Sequence, residues 1–127
     1  MRVAAAALAV LLLVGCGSSD SAVERDLRRG MAQIRHTRDA KKLRSELRGT
    51  LARLRRDQAS GAAERRARAL AIRGFEATLD GVQGRIDFVD NDSGNIEAAT
   101  RDALRADRGM ARGARLLRAA SRALEGR

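Results

Sequence analysis

Apolar residues recur at helical spacing through most of the chain after its first twenty or so positions. The first such stretch covers about 21–58 and opens with Ser21-x-x-Glu24, which is a capping-box pattern for a helix N-terminus. The stripe changes phase across residues 36–42, so a kink or a break near 36–40 stays open. The apolar residues before and after this region, three or four positions apart, are Val23, Leu27, Met31 and Ile34, then Leu43, Leu47, Leu51 and Leu54.

Two further stretches, about 62–89 and 95–124, carry seams in which intervals of three and four residues alternate, as in coiled-coil-like helix packing. Gly74 and Gly81 lie beside the first of these seams. Either they allow a close helix approach, or the chain kinks at Asp80-Gly81. The seam positions are Ile72, Phe75, Leu79, Val82, Ile86 and Val89 in one stretch, and Ile96, Ala99, Ala103, Ala106, Met110, Gly113, Leu117, Ala120 and Leu124 in the other.

Two short turn segments separate the three stretches. They are Gln58-Ala59-Ser60-Gly61 and Asp90-Asn91-Asp92-Ser93-Gly94. Short connections make consecutive helices antiparallel neighbours, and the chain has no proline to interrupt them. The sequence therefore predicts an all-α fold, an up-down-up antiparallel three-helix bundle over residues 21–127. Leu, Ile, Val and Phe make up less than a fifth of residues 16–127, so self-association into a homo-oligomer or a partner helix would complete a thin core.

The first residues have a different character. Met1-Arg2 is a short positive segment, and residues 3–14 are an uninterrupted run of Ala, Val and Leu. This run is shorter than the roughly 20 residues that span a bilayer, and it fits the apolar region of a secretory signal peptide. It ends at Leu13-Val14-Gly15-Cys16, and Cys16 is the only cysteine in the chain.

This segment resembles the signal segment of bacterial lipoproteins, whose lipobox has the same pattern of residues before its cysteine. The resemblance implies a cleaved signal peptide over residues 1–15 and diacylglycerol on the Cys16 sulfur. Residues 16–20 would then be the lipidated cysteine followed by a short spacer. It also implies an extracytoplasmic body held at the cell membrane by acyl chains. Two acyl chains anchor a protein stably, whereas one chain binds the membrane only weakly. The resemblance covers about the first 20 residues and indicates no family for the body.

The side chains available for chemistry are few. One cysteine and one histidine exclude a disulfide framework, a multi-cysteine zinc site and a histidine-cluster metal centre. His36 lies in the polar region where the apolar stripe changes phase, so we expect a surface or packing role. Residues 90–94 do not fit a calcium loop, because Val89 and Thr100 would stand where carboxylate ligands are required. We therefore expect no catalytic residue, no metal, no cofactor and no enzyme activity.

Positive charge is the remaining signal. Lys and Arg number 26 against 16 Asp and Glu, a formal net charge of +10. An exported chain without Trp or Tyr for base stacking makes nucleic acid an unlikely ligand. In a three-helix bundle anchored at Cys16, the acidic residues collect near the membrane and an arginine-rich end points away from it. The hypothetical binding residues at that end are Arg55, Arg56, Arg65, Arg66 and Arg122.

Several interpretations of this charge stay open. The arginines would bind an anionic envelope polymer or an acidic protein surface, because the planar guanidinium group pairs with phosphate or carboxylate through two hydrogen bonds. They would equally fit a solvated bundle end whose composition reflects GC-rich codon usage. A different class of function is an assembly or regulatory subunit of a membrane complex, recruited by helix–helix packing.

Overall fold

The structure is a computed structural model that describes residues 20–126, and over this range it is all-α, as predicted. The predicted signal peptide and Cys16 lie outside the described residues. None of the helices within 20–126 is long and apolar enough to cross a membrane. The helices are α1 (Ala22–His36), α2 (Ala40–Arg56), α3 (Gly61–Asp90) and α4 (Ile96–Glu125).

The described residues form four helices, so the prediction of a three-helix up-down-up bundle is wrong. The first stretch breaks at residues 37–39, within the region where the apolar stripe changes phase. Asp39 restarts the helix as the N-cap of α2, because its carboxylate accepts the Lys42 backbone N–H at 2.7 Å. The Thr37 hydroxyl donates to the Glu46 carboxylate at 2.7 Å and ties the turn to α2. Consequently α2 folds back along α1.

The predicted starts of α1 and α4 are confirmed by their caps. The Ser21 hydroxyl accepts the backbone N–H of Glu24 at 3.2 Å, and the Asn95 side chain accepts that of Ala98 at 3.1 Å. Between α3 and α4, Gly94 has a φ of +66°, a left-handed conformation that glycine adopts without strain. The turn predicted from residues 90–94 therefore joins two antiparallel helices.

Two helical hairpins pack together, with α3 at the centre of the fold. α3 packs against α4 along their length and against α2 on another side, and α1 contacts each of the other three helices. α1 and α2 have 15 and 17 residues, whereas α3 and α4 have 30 each, or roughly 45 Å at 1.5 Å per residue. Val89 and Ile96, on either side of the α3–α4 turn, are exposed.

The hydrophobic core contains residues from all four helices. The apolar stripes of α1 and α2 supply buried side chains, as their spacing predicts, and Phe75 of α3 is fully buried. The seams of α3 and α4 are buried only in part, because Val89 and Ile96 lie beyond the core. The buried cluster consists of Val23, Leu27, Leu43, Leu47, Leu51, Leu54, Ala67, Ala71, Phe75, Val82, Ile86, Leu117, Ala120 and Leu124.

Glycines bring α3 and α4 into close contact. A Cβ atom placed on Gly81 would lie 2.7 Å from the backbone nitrogen of Met110, and one on Gly84 would lie 2.8 Å from that of Ala106. Both neighbours are backbone atoms, which cannot move aside as a flexible side chain can. α3 continues unbroken through Gly81. Of the two interpretations left open by the sequence, close helix approach is therefore confirmed.

Candidate functional site: the arginine-rich end

The ends of all four helices meet at one end of the bundle. Arg53 near the end of α2 lies 3.4 Å from Asp26 near the start of α1, measured from Nε to Oδ1. Leu27 of α1 and Leu124 of α4 line one shallow groove. This end of the bundle, which we call the arginine end, comprises residues 20–28, 53–68 and 115–126. It carries eleven arginines against six acidic residues.

All five predicted binding residues belong to the arginine end and are exposed. The described part of the chain also begins there, because Asp20 precedes the first turn of α1. The expectation that these arginines lie at the opposite end from the start of the first helix is wrong. It assumed one long first helix, whereas the break at residues 37–39 gives the chain one more reversal before α3. The acidic end expected beside the start of the chain is likewise not found in the described structure.

Two of the five arginines share a groove. Arg66 in the second turn of α3 and Arg122 in the last turn of α4 line an open cavity of about 530 Å³. Most of the other lining residues are small, so they leave room for a ligand beside the two arginines. The other lining residues are Ala62, Ala63, Leu70, Ala119, Ala123 and Gly126. The groove has the chemistry to hold an anionic group between two arginines.

The remaining three predicted binding residues, Arg55, Arg56 and Arg65, differ in whether they form an ion pair within the bundle. Arg55 donates to the Glu76 carboxylate at 2.9 Å, an exposed pair of the kind that contributes little stability. Arg56 and Arg65 form no ion pair with any residue within 20–126. Arg55 can exchange its partner for an external anion, whereas Arg56 and Arg65 are available without any exchange.

Other arginines at this end hold the structure together, and sequence reasoning did not single them out. Arg68 of α3 donates to the backbone carbonyls of Leu54 and Arg55 at 2.9 and 2.7 Å. Those carbonyls lie in the last turn of α2, where the regular helical hydrogen bonds end, and the Leu54 carbonyl also accepts the Asp57 backbone N–H at 3.2 Å. Arg53 bridges α1 and α2 through Asp26. No local sequence signal separates these structural arginines from the free ones, because the contacts join residues distant in the chain.

A pair of acidic residues lies beneath these arginines. The pKa of Asp57 is raised to about 6, first by burial and then by a hydrogen bond with Asp26 and the negative charge of Asp26, against the opposing charges of Arg25 and Arg68. One carboxylate oxygen of Asp57 is buried without a hydrogen-bond partner among the described residues. Asp26 is itself buried. Asp57 therefore titrates nearer to neutrality than an ordinary aspartate.

The other residues considered from the sequence take simple positions. His36 is exposed in the last turn of α1. In the 90–94 segment Asp90 pairs with Lys41 at 3.2 Å, and the Asn91 side chain accepts the Ser93 backbone N–H at 3.1 Å. Within residues 20–126 no three His, Cys, Asp or Glu side chains are grouped closely enough to hold a metal ion.

Comparisons of the chain with protein-family models, with curated proteins and with solved structures give no match.

Proposed function

We propose that this chain is a non-enzymatic lipoprotein of the bacterial envelope, anchored through Cys16, whose arginine end binds anionic groups at the surface of the membrane that carries the anchor. In this arrangement the α3–α4 turn points away from the membrane. The proposal keeps the anionic ligand expected from the sequence and changes where that ligand lies. It replaces an outward-facing arginine surface with one that faces the lipid headgroups.

The observation that carries the proposal is that Asp20 and the start of α1 lie at the arginine end. Cys16 precedes Asp20 by four residues, which reach at most about 14 Å. An acyl anchor on Cys16 would therefore hold the guanidinium groups of this end close to the headgroups. Basic residues near an anionic membrane contribute about 1 kcal/mol each, within a Debye length of roughly 8 Å.

The free arginines suit this role. Arg56, Arg65, Arg66 and Arg122 are exposed and form no ion pair within the described residues. Guanidinium binds a phosphate diester through two hydrogen bonds, and it is less strongly hydrated than an ammonium group. An anionic wall polymer offers the same phosphate chemistry, so the experiment compares both sources.

The test uses residues 16–127 with Cys16→Ser, so that binding does not depend on acyl chains. Co-sedimentation is measured with phosphatidylglycerol vesicles, with phosphatidylcholine vesicles and with purified anionic wall polymer, at low and high salt. Replacing Arg56, Arg65, Arg66 and Arg122 by Glu removes four contacts of about 1 kcal/mol each. We therefore expect about a thousandfold weaker binding to phosphatidylglycerol.

The matched control reverses four exposed arginines outside the arginine end, namely Arg38, Arg48, Arg85 and Arg101. It changes the net charge by the same amount, so a diffuse electrostatic effect would weaken binding equally in both variants. Equal loss contradicts the proposal, and so does binding to the wall polymer alone. A loss confined to the arginine-end variant, together with release from the vesicles at high salt, supports it.

A further inference from the structure

The large apolar side chains that remain exposed lie near the α3–α4 turn. Phe88 and Val89 in the last turn of α3 are 47% and 71% exposed, and Ile96 at the start of α4 is 82% exposed. Leu104, two turns further along α4, is 47% exposed, and no other large hydrophobic residue within 20–126 is reported as exposed. We call residues 86–100 the hairpin tip. Three of these four side chains belong to it.

The hairpin tip also differs in charge from the rest of the chain. Residues 86–100 contain no Lys or Arg, although the whole chain has a net charge of +10. The four acidic residues of the tip are Asp87, Asp90, Asp92 and Glu97.

Basic side chains from outside the tip reach two of these carboxylates. Arg105 contacts Asp87 at 3.3 Å, and Lys41 contacts Asp90 at 3.2 Å. Asp92 and Glu97 form no ion pair with the described residues and are exposed. The tip therefore combines exposed apolar side chains with two exposed carboxylates that form no ion pair among the described residues.

The tip is a preformed surface. Below it, the close approach of Gly84 to Ala106 fixes the two helices against each other. Within the turn, the Asn91 side chain accepts hydrogen bonds from the backbone and hydroxyl of Ser93, and the backbone N–H of Asn95 donates to the Ser93 hydroxyl at 3.3 Å. A partner would meet a backbone turn that is already formed, which lowers the entropy cost of binding.

We propose that the hairpin tip is a docking surface for a partner protein, which contributes an amphipathic helical segment whose apolar residues are flanked by Lys and Arg. This inference goes beyond the proposed function and rests on different residues. Charge selects the occupant, since a basic segment is attracted to Asp92 and Glu97 and repelled by the rest of the body. Apolar contacts with Phe88, Val89 and Ile96 would complete the interface.

Two other occupants fit the tip less well. An anionic membrane would repel the free carboxylates of Asp92 and Glu97 as the apolar residues approached it. In a second copy of this chain, the positively charged arginine end has no exposed large hydrophobic side chain within the described residues to cover Val89 and Ile96. Pairing of two tips would bring like charges together.

The test measures binding of a labelled designed helix built only of Leu and Lys to the full-length protein in nanodiscs, by fluorescence anisotropy. Empty nanodiscs are the blank, and a Leu and Glu helix of the same pattern is the control peptide. We expect the Leu and Lys helix to bind. Two double variants should each weaken its binding about tenfold or more. One combines Val89→Ser with Ile96→Ser, and the other combines Asp92→Lys with Glu97→Lys.

Matched variants outside the tip should change the affinity less than about twofold, or by about 0.4 kcal/mol. Leu104→Ser replaces a side chain as exposed as Phe88, and Asp107→Lys with Glu125→Lys makes the same charge change on exposed positions. All the substituted side chains are exposed, so thermal melting should be unchanged and a binding loss is not a folding loss. The proposal is overturned if the tip and control variants behave alike, or if both peptides bind equally.

The same variants test the other occupants. If Val89→Ser with Ile96→Ser abolishes self-association of the full-length protein in analytical ultracentrifugation, a second copy covers the tip and the proposal is wrong. If it instead reduces bilayer insertion of a fluorophore at the tip, lipid is the occupant and the proposal is equally wrong. A monodisperse protein whose tip fluorophore stays in water supports a protein partner.

Discussion

Arg53, near the end of α2, forms an ion pair with Asp26, near the start of α1, with 3.4 Å between Nε and Oδ1. The pair joins positions 27 residues apart, so it requires the chain to reverse between them. That reversal brings the start of α1 to the arginine end and leaves the hairpin tip at the other end of the bundle. The proposed orientation of the protein follows from this one fold-back.

The first prediction concerns processing. We expect the mature protein to begin at Cys16 with acyl chains on its sulfur, because residues 13–16 match a lipobox. Mass spectrometry of the membrane fraction measures both features, and Cys16→Ser should leave an uncleaved or released form. Wild-type protein recovered in the soluble fraction with an unmodified Cys16 thiol would contradict the lipoprotein assignment.

The second prediction concerns the core. Leu117 is 3% exposed and packs beside Gly74, so Leu117→Ala should lower the free energy of unfolding by about 2–5 kcal/mol. Leu79 is half-buried, and Leu79→Ala should cost less. Leu104→Ala, at an exposed position, is the control and should change stability by less than about 0.5 kcal/mol. Denaturant unfolding followed by circular dichroism measures all three, and equal effects would refute the assigned core.

The third prediction concerns the α3–α4 contact. Gly81→Ala places a methyl group against the backbone of α4, which should destabilise the protein by about 1–3 kcal/mol. Gly49 in α2 is the matched control, because a Cβ there meets only the end of the Arg53 side chain at 3.7 Å. Gly49→Ala should stabilise the protein by about 0.5–1 kcal/mol through its higher helix propensity. Stabilisation by both substitutions would contradict the close approach of the helices.

The fourth prediction concerns pH. The pKa of Asp57 is raised from an ordinary 3.8 to about 6, so the folded state binds this proton more tightly than the unfolded state does. The stability that Asp57 contributes is complete below pH 3.8 and is lost as the pH rises through about 6. Asp57→Asn removes this pH dependence. The free energy of unfolding of the variant should therefore rise relative to that of the wild type between pH 3.8 and about 6, and it should be the higher of the two at pH 7. Parallel stability curves, measured by denaturant unfolding at each pH, would refute the raised pKa.

The sequence predicts the helices well because helical periodicity is a local property. The leucines of α2 are buried at the spacing that their positions indicate, and Ser21 and Asn95 cap the helices that they precede. The break at residues 37–39 is visible only as a change of phase, which fits a kink as well as a reversal. If that region is taken as one continuous helix, every later helix is given the wrong direction relative to the start of α1.

The candidate site could be predicted only as a set of residue types. Periodicity assigns Val89 and Ile96 to a seam, but burial depends on how far α1 and α2 extend along α3, which no local pattern encodes. The contact between Asp26 and Asp57 likewise exists only after α2 has folded back on α1. Sequence therefore identifies the free arginines as candidates and cannot say that they lie at the same end of the bundle as the start of α1.

The orientation at the membrane can be measured directly in the full-length acylated protein. Acylation consumes the Cys16 sulfur, so Ser60→Cys at the arginine end and Ser93→Cys at the hairpin tip each introduce a single reactive thiol. The two positions lie at opposite ends of α3, about 45 Å apart at 1.5 Å per residue. A donor dye on each is paired with acceptor-labelled headgroups in reconstituted vesicles. We predict strong energy transfer from position 60 and weak transfer from position 93, whereas equal transfer or the reverse order would contradict the proposed orientation.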